Sequence, residues 1–356
     1  MNIHPVYISA LQAFGYTDAE ARFLYLVATH SGYFLARHFL AFAGARWGKR
    51  TDVFWHKLES NGHARRGSLS GRRAVYHVFG HTIYRALDRE HLGNHRRHER
   101  QYIETRLAIL DFVLANQELC YLETEADKLA FFCRDCKIEP RFLPSKTYLG
   151  SHTVQPTVRY FLDRYPMFLS GPASPPPVVT LSFIQGSEAS LLALVHHLQV
   201  HRPLFRELSE FHFLYLARTE VHFTKARELF HALVTVPLQA NPADDLLRYF
   251  TIRKAWDLHQ YGAVSEADLV YRNIAKDRFH GERFEHYYHA WKSNRISDAH
   301  IRDAFQGHSR PHATHFEARI LKPFAPPDIE NGGAHGLRRT DRMPVVESID
   351  KETPCP

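Results

Sequence analysis

With 356 residues, 44% of them hydrophobic and 23% charged, the chain has room for more than one packed core and lacks the bias of a disordered or fibrous protein. Four cysteines are too few for a disulfide framework, and no apolar run approaches the roughly 18 to 20 residues that crossing a bilayer requires. The net charge of +7 is uneven: residues 1–110 hold 16 Lys and Arg against 8 Asp and Glu, and the remainder holds 29 against 30.

A basic portion joined to a neutral one suggests a polyanion-binding module carried by a partner domain. Arginine dominates that portion, and its planar fork suits phosphate and guanine. A GC-rich genome would explain the Arg:Lys ratio but not the asymmetry. Residues 1–13 have no charged start, apolar centre or small-residue cleavage site of a signal peptide, so a cytoplasmic location is expected.

In chain order, Thr17-Asp18-Ala19-Glu20 is a capping box ahead of the apolar run Phe23, Leu24, Leu26, Val27. A second helix is expected from about Tyr33 to Phe42, and a third over Thr51 to Asn61, led by Gly48-Lys49-Arg50 and stopped by Gly62. His63 to Arg66, a Gly/Ser turn from Gly67 to Gly71, and Arg72 to Phe79 read as a β-hairpin. Three short helices followed by a basic hairpin form the outline of a winged helix-turn-helix.

In the third helix, Phe54 and Leu58 are one turn apart and mark the buried face. The opposite face then carries Lys49, Asp52, His56 and Glu59, with Val53 and Trp55 at its edges. A recognition helix presents its start to base edges, which makes Lys49, Arg50 and Thr51 the leading DNA-contact candidates, with His56 behind them. Arg65, Arg66, Arg72 and Arg73 on the hairpin suit a wing lying along the phosphate backbone. Asp52 and Glu59 place carboxylates near phosphates, so affinity should depend mainly on the wing and the helix start.

A short helix from His81 to Glu90 precedes a long one from about Asn94 to Asn116. There Ile103, Leu107, Leu110 and Leu114 make a coiled-coil-like seam, open to homodimerisation or to packing in this chain's own core. From Leu119 strands and helices alternate. Strands are expected at Leu119–Glu123, Val158–Phe168, Val178–Ile184 and Phe211–Ala217, and helices at Glu125–Cys136, Gly186–His201 and Thr219–Leu233. Four further helices are expected at Pro242–Gln260, Ser265–Lys276, Glu282–Trp291 and from Ser297. From Lys322 the apolar content is too low to fold.

The expected fold is α+β and multidomain: a winged helix-turn-helix over 1–92, a linking helix over 93–117, an α/β domain over 118–238, a helical region over 239–321 and a disordered tail over 322–356.

Chemistry has little local support. Cys133-x-x-Cys136 has no second cysteine pair to complete a zinc site, so ordinary buried thiols are expected. His197 and His201, like His286 and His289, have helical spacing without the acidic context of a metal site. No Gly-x-x-x-x-Gly-Lys, Gly-x-Gly-x-x-Gly or Gly-x-Ser-x-Gly motif is present, and no cofactor is expected. The enzymatic alternative is a metal-dependent nuclease using Glu123, Glu125 and Asp163. Its difficulty is that the strand Val178–Ile184 carries neither the acid nor the lysine of a Glu-x-Lys pair.

The N-terminal third resembles winged-helix proteins of the replication-relaxation family, found with bacterial plasmids and integrative elements. The resemblance rests on the Thr17–Glu20 helix start, on Phe54-x-x-x-Leu58 followed by Asn61-Gly62, and on the arginine-flanked hairpin ending in Val75-Tyr76-His77-Val78. It covers roughly residues 10–90. It implies a bacterial accessory or regulatory factor that binds double-stranded DNA. Some members carry a nuclease-like α/β domain, which would suit residues 118–235, where the missing Glu-x-Lys implies a degenerate site. A winged helix used only for protein contacts is the third reading.

Overall fold

The computed structural model describes residues 3–46, 48–70, 73–149, 157–161, 165–170, 177–186, 191–239, 242–306 and 313–324. The chain is a mixed α/β protein with several sheets. It opens with α1 (Pro5–Gln12) and α2 (Asp18–His30). The capping box is formed: the Glu20 N–H donates to Thr17 Oγ1 at 3.4 Å and the Thr17 N–H donates to the Glu20 carboxylate at 2.8 Å. Gly32 then turns the chain at φ +80°, and a Cβ there would lie 2.4 Å from the Asn94 carbonyl oxygen. Only glycine fits.

Next come β1 (Tyr33–Phe34), α3 (Ala36–Phe42) and α4 (Lys49–Ser60). The helix expected from Tyr33 begins instead at Ala36. Tyr33 and Phe34 pair antiparallel with His77 and Tyr76, and the Phe34 ring stacks on Tyr76 at 5.1 Å. Cross-strand pairing outweighs local helix propensity for these two aromatics. Gly62, at φ +65°, follows α4 as expected. The hairpin is β2 (Ala64–Ser70) and β3 (Arg73–Val78), with a bulge between Ser68 and Ser70. Its sheet has the order β1-β3-β2.

After α5 (His81–Ala86), α6 runs Arg100–Ala115. It starts later than expected because Gly93–His95 forms a tight 3-10 turn. Asn94 there donates to the carbonyls of Ala28 and Thr29 at 2.8 and 3.1 Å, closing the C-terminus of α2. Arg106 adds its charge at the same helix end, donating to Ser31 O at 3.1 Å. The seam positions Leu107, Leu110 and Leu114 are buried, and Ile103 packs beside Tyr33 and Val75. Of the two readings left open for this seam, packing in the chain's own core is the one these positions follow.

The second half contributes β4 (Cys120–Tyr121), α7 (Glu125–Leu129) with a π-helical turn to Asp135, and a separate ribbon of β5 (Ser145–Tyr148) and β6 (Thr157–Tyr160). It continues with β7 (Met167–Ser170), β8 (Val178–Ile184), α8 (Leu192–Glu207), β9 (Glu210–Ala217), α9 (Phe223–Phe230) and α10 (Val236–Gln239). Four helices follow, α11 (Pro242–Asp257), α12 (Glu266–Arg278), α13 (Glu282–Lys292) and α14 (Asp298–Gln306), with their own core around Leu246, Phe250 and Tyr288. The last strand is β10 (Ala313–Ile320).

The main sheet has the order β10-β9-β8-β7-β4, parallel from β8 through β10 and antiparallel at β7 and β4. Two expectations are corrected here. Val158–Phe168 is not one strand: β6 belongs to the ribbon, β7 to the main sheet, and Phe161 between them has φ +52°. Residues 313–320, assigned to a helical region, form a strand that pairs along all of β9. Beyond it Leu321 is buried and Phe324 packs on the first core, so packed structure extends past the start expected for the tail. Residues 325–356 lie outside the described residues.

Strand alternation on β9 sends Phe211, Phe213 and Tyr215 toward α8 and α9, and Leu214 and Leu216 toward α6. One core therefore runs from α2 and α4 through α6 to Phe168, Ile184 and Leu216 of the main sheet. The helix expected as a linker is the shared middle layer. No helix among the described residues is long and apolar enough to cross a membrane.

Candidate nucleic-acid interface

The apolar side of α4 fixes its outward side. Phe54, Trp55 and Leu58 are buried, with Phe54 stacked on Phe39 at 4.1 Å and Trp55 on Tyr76 at 4.6 Å. Trp55 was expected at the edge of the exposed face. It is buried because Phe34 and Tyr76 stack on it and Phe39 meets it in a T-shaped contact. Lys49, Asp52, Val53, His56 and Glu59 are exposed, as the spacing predicts. Lys57 is not available to a ligand, since it pairs with Glu20 at 2.8 Å.

Thr51, expected to touch DNA, is fully buried. Its Oγ1 donates to Gly48 O at 2.6 Å and accepts from Gly48 N–H at 3.0 Å. The hydroxyl serves the helix start itself. The side chain of Arg50 lies outside what is described, as does that of Arg73, whose backbone is in β3; Arg72 is outside the described residues altogether.

On β2, Arg65 and Arg66 are both exposed but face opposite sides of the sheet. Arg66 sits across from Tyr76, on the α4 side. Arg65 sits across from His77, with its guanidinium 5.3 Å from the Phe79 ring centre. Sequence reasoning grouped them by charge, although the two-residue period of a strand already separates adjacent side chains. Neither has a carboxylate partner among the described residues.

The acids named for catalysis are held differently. Glu123 is nearly buried, accepts from Tyr25 Oη, and has Arg89 Nη2 at 3.3 Å and His30 Nε2 at 3.7 Å. Burial pushes its pKa up, but these partners outweigh burial and bring it below the ordinary carboxylate value. Glu125 accepts from Arg159 Nε and from the Tyr160 N–H, each at 2.8 Å. Both border a cavity of about 50 Å³, room for one or two waters. Each carboxylate is occupied by an arginine, so the expected acid pair is two separate ion pairs. Asp163 lies outside the described residues. No cluster of three or more His, Cys, Asp or Glu among the described residues is arranged to hold a metal ion.

The other groups singled out in the sequence are placed apart from α4 and the hairpin. Cys133 and Cys136 are half-buried free thiols, and burial raises Cys136 to about 11. The His197 and His201 rings lie in the second core against Phe183, Phe213 and Phe205. His289 lies 3.9 Å from Glu285, which Arg253 already grips with both of its terminal guanidinium nitrogens.

Sequence reasoning missed the acid with the most hydrogen-bond partners among the described residues. Asp111 of α6 has no exposed surface and accepts from Arg37 at 2.7 and 3.0 Å, Arg218 at 2.5 Å, His38 at 3.0 Å and the Phe324 N–H at 2.7 Å. Burial alone would raise its pKa; the His38 and Arg37 hydrogen bonds hold it well below the carboxylate range. His38, whose pKa burial lowers, accepts the Leu35 N–H at Nδ1 and offers Nε2–H to Asp111. One carboxylate thereby ties α3, α6, the end of β9 and the chain after β10. Comparison with known proteins yields no match: no family model, no curated protein and no solved structure is similar to the chain.

Proposed function

We propose that residues 1–92 are a winged helix-turn-helix that binds double-stranded DNA, with the start of α4 at the major groove and the β2–β3 hairpin on the backbone. Lys49, Arg50, His56, Arg65, Arg66, Arg72 and Arg73 are the contact residues of this reading. The observation that carries it is the pairing of an outward-facing α4 with a hairpin whose described arginines are exposed and free of carboxylates. The order α2-β1-α3-α4-β2-β3 and the sheet β1-β3-β2 support it. Asp52 and Glu59 on α4 make base reading weak and backbone contact dominant.

In this reading the protein is an accessory or regulatory factor of a plasmid or integrative element, in keeping with the resemblance to the replication-relaxation family. The α/β portion braces the DNA-binding unit through α6, and its acids Glu123 and Glu125 are engaged by Arg89 and Arg159. Titrating the full chain into a duplex at increasing salt tests the proposal. Affinity should fall steeply as counterions are recaptured; weak binding that ignores salt would end it.

A further inference from the structure

The hairpin has basic character on its second side as well. Arg65 points away from α4, toward His77, whose ring stacks on Tyr33 at 4.3 Å. Facing it is the start of α6, and between them lies a groove of about 560 Å³. Its floor is apolar and aromatic, with Tyr33, Val75 and Leu69. Its rims carry Arg65 on one side and Arg97 and Arg100 on the other, and Arg96 is exposed beside them.

The rim is held rigidly. Tyr33 Oη donates to Arg96 O and accepts the His98 N–H, both at 3.1 Å, and His98 Nε2 lies 3.1 Å from Gly93 O. The His98 ring packs 4.0 Å from the ring of Tyr102, which is 37% exposed. Two carboxylates oppose this charge: Glu99 at the rim, and Glu104, which holds Arg100 at 2.9 Å. Arg65, Arg96 and Arg97 have no carboxylate partner among the described residues. Burial keeps His77 in the floor uncharged near neutral pH by lowering its pKa to about 4.

We infer that this groove binds the sugar–phosphate backbone of DNA, so that the hairpin makes phosphate contacts on both of its faces. The inference rests on the duplex-binding reading above and extends it to residues 96–100, which that reading does not use. A rigid backbone presenting several guanidinium forks to one channel suits a run of phosphates, and fixed donors lose little freedom on binding. An acidic protein segment is the competing occupant.

The test compares the full chain with two variants, Arg96→Ala/Arg97→Ala for the groove and Lys49→Ala/His56→Ala for the α4 side. Duplex affinity is measured from about 50 to 200 mM salt, with thermal unfolding confirming that each variant folds. The groove variant should bind on the order of tenfold more weakly, with a salt slope shallower by about 2. If it matches the wild type while the α4 variant is weakened, the groove inference falls and the duplex reading stands. If the wild type binds no duplex even at low salt, both fall. Poly-glutamate binding that is lost in the groove variant, with duplex binding unchanged, would assign the groove to an acidic segment and overturn the inference.

Discussion

The arginines around this molecule's first core stand in two different settings. On the hairpin and the start of α6, Arg65, Arg66 and Arg97 stand exposed without acidic partners. A short distance away in the chain, Arg37, Arg89 and Arg106 point inward, holding Asp111, Glu123 and the end of α2. Counting charge treats them alike. Burial and partners separate them, and only the first set has charge left for a polyanion.

The comparison breaks most visibly at Asp111. Replacing it by Ala leaves two arginines and a buried histidine without their shared acceptor, and should cost about 3–5 kcal/mol of stability. Chemical denaturation measures this, and a loss under 1 kcal/mol would show that the network is dispensable. At temperatures where the variant remains folded, its duplex affinity should be unchanged.

The same residue sets an acid dependence. Its folded pKa is depressed below the ordinary value of 3.8, so its stabilisation is present above that pH and is lost as the pH falls toward the folded value. Unfolding midpoints followed downward from about pH 4 should drop more steeply in the wild type than in Asp111→Asn. Parallel curves would contradict the assignment.

A smaller effect distinguishes a helix start from a contact. Thr51→Ala should lower stability by about 1 kcal/mol through loss of its bonds to Gly48, while the salt slope of duplex binding stays at the wild-type value. A shallower slope with unchanged stability would return Thr51 to the interface. The smallest effect is on the stability of Arg65→Ala/Arg66→Ala, expected within about 0.5 kcal/mol of the wild type, because both side chains are exposed. A larger loss would mean that these arginines hold the fold, as the inward set does.

Much of the first unit was legible from local rules. Thr17 and Glu20 announced α2, Gly62 closed α4, and the Phe54–Leu58 spacing gave the buried face, because each depends on neighbours within a turn or two. Long-range pairing was not legible. Tyr33 and Phe34 become a strand through β3, and Ala313–Ile320 becomes one through β9, partners 42 to 44 and 103 residues away that no local period reveals. Thr51 and Trp55 were misplaced because capping bonds and ring stacking depend on contacts outside the helical wheel. Asp111 was overlooked within a seam of leucines, since its four partners come from distant segments. The divergence of Arg65 and Arg66, by contrast, follows from strand alternation alone and was there to be read.

The most direct test of the outward set is the salt dependence of duplex binding by the wild type beside Lys49→Ala/Arg65→Ala/Arg66→Ala. The account predicts a steep negative slope of log affinity on log salt for the wild type, and one shallower by about 3 in the triple variant with its unfolding midpoint preserved. Equal slopes in the two proteins would contradict it.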